Sequence, residues 1–211
     1  MRRNTIVFVA VAFILSVFAL AGWANWEFRK QQAERQMAAE AQGELVPDYA
    51  TGTIEFKTPL MDKPAPAFAL DDLGGKTVSL KSYRGKALLI NFWATWCGPC
   101  RVETPWLVEL RNKYASQGFE VLGIDTEGED LPKSDKAGWA KDEAAVSKFV
   151  AAMKIPYPML LDGDSISRDY GGLDDLPTSF FVDRNGKVVA AQVGLTSESD
   201  IEGNIKKALN Q

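Results

Sequence analysis

The sequence predicts an α/β domain with a central mixed β-sheet flanked by helices, preceded by an N-terminal transmembrane helix. Three observations carry this. Strand-like and helix-like periodicities alternate along residues 77–210 in the order β-α-β-α-β-β-α, the pattern of a sheet layered with helices. The last two strand candidates flank Asn185-Gly186, a strong hairpin signal. Ahead of the domain stands an apolar run, Ile6 to Ala24, broken only by Ser16.

That run is close to the ~20 residues that span a bilayer as a helix. Arg2 and Arg3 precede it and no cation follows until Arg29, which places the N-terminus inside and the rest of the chain across the membrane. Trp23 and Trp26 suit the outer interface. Ala19-Leu20-Ala21 resembles a small-x-small cleavage site, so a removed signal peptide is the rival reading; the length of the run favours a retained anchor. Residues 1–26 are therefore read as the anchor or an uncleaved signal. Residues 27–58 follow as a polar juxtamembrane segment and linker, and 59–211 as the folded domain. Glu27 to Gly43 is rich in helix formers without a continuous apolar stripe, and Leu45 to Pro66, with five Pro or Gly positions, reads as irregular.

Within the domain, Thr77 to Leu80 alternates like a short strand after the turn Leu73-Gly74-Gly75-Lys76. Ala87 to Trp93 and Phe119 to Asp125 are apolar enough for strands buried on both faces. Cys97 to about Gln117 is helical, with Leu107, Leu110 and Tyr114 at core spacing and Pro105 expected to kink it. Leu131 to Trp139 reads as a surface loop, with Trp139 packing down on the domain or, alternatively, contacting a partner. Asp142 to Lys154 is a helix with Val146, Phe149, Val150 and Met153 on one face, and Met159 to Leu161 starts an extended segment. Thr178–Val182 and Val188–Val193 form the hairpin, and a terminal helix runs from a Ser197 cap to Asn210.

The chain has 211 residues, two cysteines, no histidine and a net charge of −4. Ser-His, Cys-His and His-metal chemistry are thereby excluded, and there is no basic footprint for nucleic acid. Both cysteines lie in Cys97-Gly98-Pro99-Cys100, where a buried strand hands over to a helix. A thiol at a helix N-terminus feels unpaired N–H groups and the positive end of the dipole, which favour the thiolate. One turn on, the second sulfur is within reach of the first. A structural disulfide closing so short a loop removes little unfolded-state entropy. A closed zinc site wants four ligands, and haem attachment wants a histidine where Arg101 stands. Thiol–disulfide exchange is the favoured chemistry, with no cofactor and no metal expected.

The order of elements, with this Cys-x-x-Cys opening the first core helix, resembles the thioredoxin fold. Asn91-Phe92-Trp93-Ala94-Thr95-Trp96-Cys97-Gly98-Pro99-Cys100 is similar to the thioredoxin active-site strand and turn. Leu176-Pro177-Thr178 is similar to its cis-proline loop. The lead-in Ala65 to Leu70, then Gly75-Lys76, Leu80 and Gly85-Lys86, resembles the membrane-anchored TlpA/ResA-type branch. The resemblance spans about residues 59–211.

It implies Cys97 as the exposed attacking thiolate and Cys100 as the more buried resolving thiol, with Gly98 sparing the sulfurs an overhanging side chain. It further implies a substrate-binding surface of Trp96 (an apolar rim), the Leu176 backbone and the Pro177 ring, with Trp93 as core beneath. Thioredoxin's buried aspartate is replaced by Asn91, and its lysine partner by Val121, so another acid is needed or none acts. Glu127, Glu129 and Glu103 are the proton-transfer candidates, each read first as a solvated surface carboxylate.

As function, the resemblance implies a reductant of specific extracytoplasmic protein disulfides, in cytochrome c maturation or copper-site assembly. Its electrons would come from a membrane donor, since that compartment is oxidising. The localisation implied is a bacterial inner membrane, single-pass, with the redox domain on the periplasmic side. The alternatives are an oxidase or isomerase of the same fold and a copper(I)-thiolate carrier. A peroxidase is disfavoured, because Thr95 stands only two residues before Cys97.

Overall fold

The computed structural model describes residues 23, 25–30, 32, 44–48, 53–128, 131–132 and 134–210. The chain divides into two units, Met1–Ala41 and Gln42–Gln211. In the first, residues 25–30 are helical, with Trp26 and Phe28 exposed. Nearly all of the expected anchor lies outside the described residues. Among those described, no helix is long and apolar enough to cross a membrane.

The second unit opens with two antiparallel hairpins, β1 (Glu44–Asp48) with β2 (Thr53–Lys57), and β3 (Ala69–Asp71) with β4 (Thr77–Ser79). The first hairpin corrects the reading of Leu45 to Pro66 as irregular throughout. Thr53-Ile54-Glu55-Phe56-Lys57 alternates polar and apolar residues, and a two-stranded ribbon has only edges, where the missing N–H of Pro47 is tolerated.

The main sheet contains β5 (Ala87–Trp93), β6 (Phe119–Asp125), β7 (Met159–Leu160), β8 (Thr178–Val182) and β9 (Val188–Val193), in the order β7-β6-β5-β8-β9. The pairs β5–β6 and β6–β7 are parallel, β5–β8 and β8–β9 antiparallel, so the sheet is mixed as expected. Among the described residues of this unit the α-helices are α1 (Gly98–Tyr114), α2 (Lys136–Met153), the single turn α3 (Asp164–Ser167) and α4 (Glu198–Leu209). Helix α1 continues as one element through Pro105, whose ring nitrogen has no hydrogen for the Arg101 carbonyl. Helix α2 begins six residues earlier than expected, because the Asp135 side chain caps it by accepting from Gly138 N at 3.0 Å. The supposed loop is thus partly helix, and Trp139 packs down: a Cβ on Gly128 would come within 2.6 Å of its ring.

Each face of the sheet carries its own core. On one, Leu89, Trp93, Phe119 and Val121 meet Leu107 and Leu110 of α1, Val146 and Phe149 of α2, and Ile201 and Ile205 of α4. On the other, Leu88, Ile90, Phe92, Leu122 and Phe180 are covered by Phe68 and Leu70 from β3 and its lead-in, Val78 of β4, Ile166 of α3 and Tyr170. Phe92 lies with its ring centroid 5.1 Å from Tyr170 and 6.1 Å from Phe180. Helix α4 starts in a reciprocal capping box between Ser197 and Asp200.

Phe92 is fully buried at the centre of that aromatic group. Phe92→Ala is expected to cost about 3–5 kcal/mol, read as a lower urea midpoint at unchanged slope. A loss below about 1 kcal/mol would mean the second face does not depend on this cluster.

Candidate active site

Strand β5 is buried at every residue and ends at Trp93. Ala94, Thr95 and Trp96 turn the chain, and Cys97 becomes the N-cap of α1. Pro99 sits in the first turn, where its missing N–H costs no helical bond. Cys97 and Cys100 are joined in a disulfide, with Cα atoms 5.3 Å apart. The Cys97 Sγ also accepts from the Cys100 backbone N–H at 3.2 Å, so one of the helix's orphan donors faces this sulfur.

One expectation about this turn is corrected. Cys97 is only 4% exposed, against 2% for Cys100. In the disulfide its sulfur lies at the helix end, against the Cys100 N–H, rather than in solvent. What separates the two cysteines is a groove of about 490 Å³ that Cys97 lines and Cys100 does not. A Cβ on Gly98 would meet open space, so the turn itself does not demand glycine there. Gly98 lines the same groove, and its missing side chain leaves the approach to Cys97 open.

Trp96, exposed at 64%, and the half-buried Leu176 also line this groove. The Leu176–Pro177 bond is cis, Pro177 is buried, and the Pro177 carbonyl accepts from Gly194 N at 2.8 Å. Trp93 is core, its indole N–H directed at Met159 Sδ and its ring 4.9 Å from Phe149.

The carboxylates do not behave as surface groups. Glu103 is 2% exposed, a turn beyond Cys100 on the same helix. Its Oε2 accepts at 3.0 Å from Asn91 Nδ2, which also donates to Ser179 Oγ. An acid therefore does lie against position 91, delivered from α1 rather than from the strand. Burial pushes the Glu103 carboxyl up to about 7, and the Asn91 hydrogen bond only partly offsets this. Tyr157, buried nearby, is raised by its own burial and then by the Glu103 charge.

Glu127 is half-buried and clasps Thr95, accepting from its N–H at 2.7 Å and its hydroxyl at 2.6 Å. It holds the turn before Cys97. Glu129 lies outside the described residues. Sequence reasoning missed Asp125, which is buried and accepts from Glu127 N at 3.2 Å. Burial first, then the charges of Glu127 and Asp142, push its carboxyl up to about 8 against the opposing backbone bond. The available signal was an acid closing a strand whose other residues are buried on both faces.

Residues 61–191 match the family model described as the AhpC/TSA family. The chain belongs to the AhpC/TSA family. It is 38% identical over 146 residues to the thiol-disulfide oxidoreductase ResA of Bacillus thuringiensis (strain Al Hakam), covering 69% of this chain and 76% of that one. To ResA of Bacillus subtilis (strain 168) it is 32% identical over 137 residues, 65% and 69% of the two chains. Among solved structures, a putative thiol:disulfide interchange protein DsbE from Chlorobium tepidum superposes with a TM-score of 0.60 at 33% identity. The match covers 71% of this chain and 98% of that one. This member of the family is a thioredoxin-like thiol–disulfide oxidoreductase.

Glu103 holds its proton more tightly folded than unfolded, so stability is lost as pH rises from its ordinary value of 4.5 through about 7. Asp125 acts in the same sense between 3.8 and about 8. Glu103→Gln keeps an acceptor for Asn91 and removes the first of these. In urea unfolding of the oxidised protein it is expected to gain on the order of 3 kcal/mol over the parent at pH 8.5 and almost nothing at pH 4. Parallel pH profiles for parent and variant would contradict the burial of an ionising Glu103.

Proposed function

We propose that this chain reduces protein disulfides on the outer side of a bacterial inner membrane, held there by residues 1–26, with 27–58 as tether and 59–211 as the redox domain. The observation that carries the reading is the placement of Cys97, and not Cys100, on an open groove beside Leu176 and Trp96. Only one residue of the pair lines the groove by which a polypeptide would approach. In the reduced protein the Cys97 thiolate attacks one sulfur of a substrate disulfide. The substrate's S–S bond breaks, a mixed disulfide forms, and the released substrate thiolate takes a proton from water. Cys100 then attacks Cys97 Sγ, freeing the second substrate thiolate and regenerating the Cys97–Cys100 disulfide. Two electrons have passed from the protein dithiol to the substrate, and a dithiol donor in the membrane restores them.

Cys100 must lose its proton to attack. Glu103 is the group suited to take it, buried on the same helix face and held near neutrality, where a base is also a competent acid. Trp96 and the Leu176 backbone form the surface on which the substrate segment lies; Pro177, expected there, is buried beside Leu176 and does not line the groove. The relatives named ResA support thiol–disulfide oxidoreduction; the reducing direction follows from the TlpA/ResA-type resemblance and from Gly98-Pro99 between the cysteines. The TlpA/ResA resemblance extends this to cysteine pairs awaiting haem or copper. Tethering raises the effective concentration toward membrane-bound substrates.

The test is the equilibrium reduction potential of the full-length chain, by thiol trapping in dithiol redox buffers. The proposal expects a value near or below about −250 mV. A value above about −180 mV would reassign the protein to disulfide formation or isomerisation.

A further inference from the structure

The Asn91 side chain is buried, and its Nδ2 donates in two directions, to Glu103 Oε2 at 3.0 Å and to Ser179 Oγ at 3.0 Å. An amide nitrogen carries two hydrogens, so both are engaged and the donor side of the amide faces the carboxyl. Ser179 is buried too, directly opposite Asn91 in the β5–β8 register and two residues beyond the cis Leu176–Pro177 bond. Along β8 it shares a sheet face with Phe181, which belongs to the core on the α1 side.

Turned about its last side-chain bond, the Asn91 amide would present Oδ1 in place of Nδ2. A carbonyl oxygen accepts from a protonated carboxyl and repels an ionised one, so the two orientations favour opposite protonation states of Glu103. An acceptor at position 179 decides between them. Without it, the donor-facing orientation leaves a buried N–H unpaired, whereas the turned oxygen is satisfied by one donor. We propose that Ser179 is a positioning residue for thiol–disulfide exchange: by accepting one Asn91 hydrogen it directs the other at Glu103, which supports the carboxylate when Cys100 gives up its proton. This rests on the reading of Glu103 as the group that takes that proton. Cys100, one turn back on α1, and Tyr157, buried ahead of β7, are the ionisable groups facing Glu103. Asp125, at the end of β6, responds instead to the charges of Glu127 and Asp142.

In the oxidised full-length protein neither cysteine titrates, so the Glu103 carboxyl can be followed alone by carboxyl-carbon NMR, its signal assigned by its loss in Glu103→Gln. Ser179→Ala is expected to move this titration upward by about one pH unit, the size of one hydrogen bond's net contribution. Ser179→Thr keeps the hydroxyl and is expected to follow the parent. In the reduced protein, the Cys97 mixed disulfide formed with a peptide bearing an internal Cys-x-x-Cys disulfide is followed by acid quench and mass. At pH 6 its decay is expected to be about tenfold slower in Ser179→Ala, and at pH 9, where Glu103 is ionised in both proteins, nearly equal to the parent's. A titration unmoved in Ser179→Ala, or moved equally in Ser179→Thr, would overturn the positioning role while leaving Glu103 and the reductant reading intact. A decay slowed alike at both pH values would do the same, since that is the mark of structural damage. A moved titration with an unchanged decay would overturn Glu103 as proton acceptor, and this inference with it. Failure of the parent protein to reduce the peptide would overturn the reductant reading on which both stand.

Discussion

Strand β5 has no solvent side, and the redox site depends on that. All seven of its residues are buried, between a parallel neighbour, β6, and an antiparallel one, β8. A strand enclosed on both faces and both edges cannot slip without moving a whole set of side chains to the wrong core. Its end at Trp93 is therefore a fixed point, and the turn through Trp96 delivers Cys97 to the start of α1. Glu127 secures that turn from β6 by binding both the backbone and the hydroxyl of Thr95. The thiol chemistry is local, but its position is a property of the sheet.

The same enclosure makes carboxylates near the disulfide costly to ionise. Glu103 and Asp125 both lie on the α1 side of the sheet, and burial raises both well above ordinary carboxylates. Asn91 cannot titrate, yet it is not an empty substitution. Its amide ties Glu103 of the helix to Ser179 of β8. Helix α1 thus brings a buried carboxyl against Asn91, at some expense in stability above neutral pH. Asp125 adds a second buried acid, linked through the Glu127 backbone to the clasp on Thr95.

Most of the fold was legible because its strands are extreme. Ala87–Trp93, Phe119–Asp125, Thr178–Val182 and Val188–Val193 appear with the bounds the sequence implied, since unbroken apolar runs and an Asn-Gly turn leave few alternatives. The Ser197 cap was equally clear. The first hairpin was hidden by Pro47 and Gly52, which read as breakers, although a ribbon edge accepts Pro47. The start of α2 was hidden because its cap, Asp135, stands in a polar stretch with no apolar periodicity to mark a helix. Cys97 and Cys100 were plain from spacing. The burial of Glu103 was not, because a glutamate on a helix is ordinarily solvated, and only the packing of α1 over Asn91 reverses that.

The account stands on a division of labour between the two cysteines. It is tested most directly by trapping a disulfide-bearing peptide on single-cysteine variants of the reduced full-length protein. With Cys100→Ser, a stable mixed disulfide is expected between Cys97 and the peptide; with Cys97→Ser, little or none, because Cys100 does not reach the groove. Equal trapping by the two variants, or trapping through Cys100 alone, would contradict the assignment of Cys97 as the attacking sulfur and the groove as the place where the substrate binds.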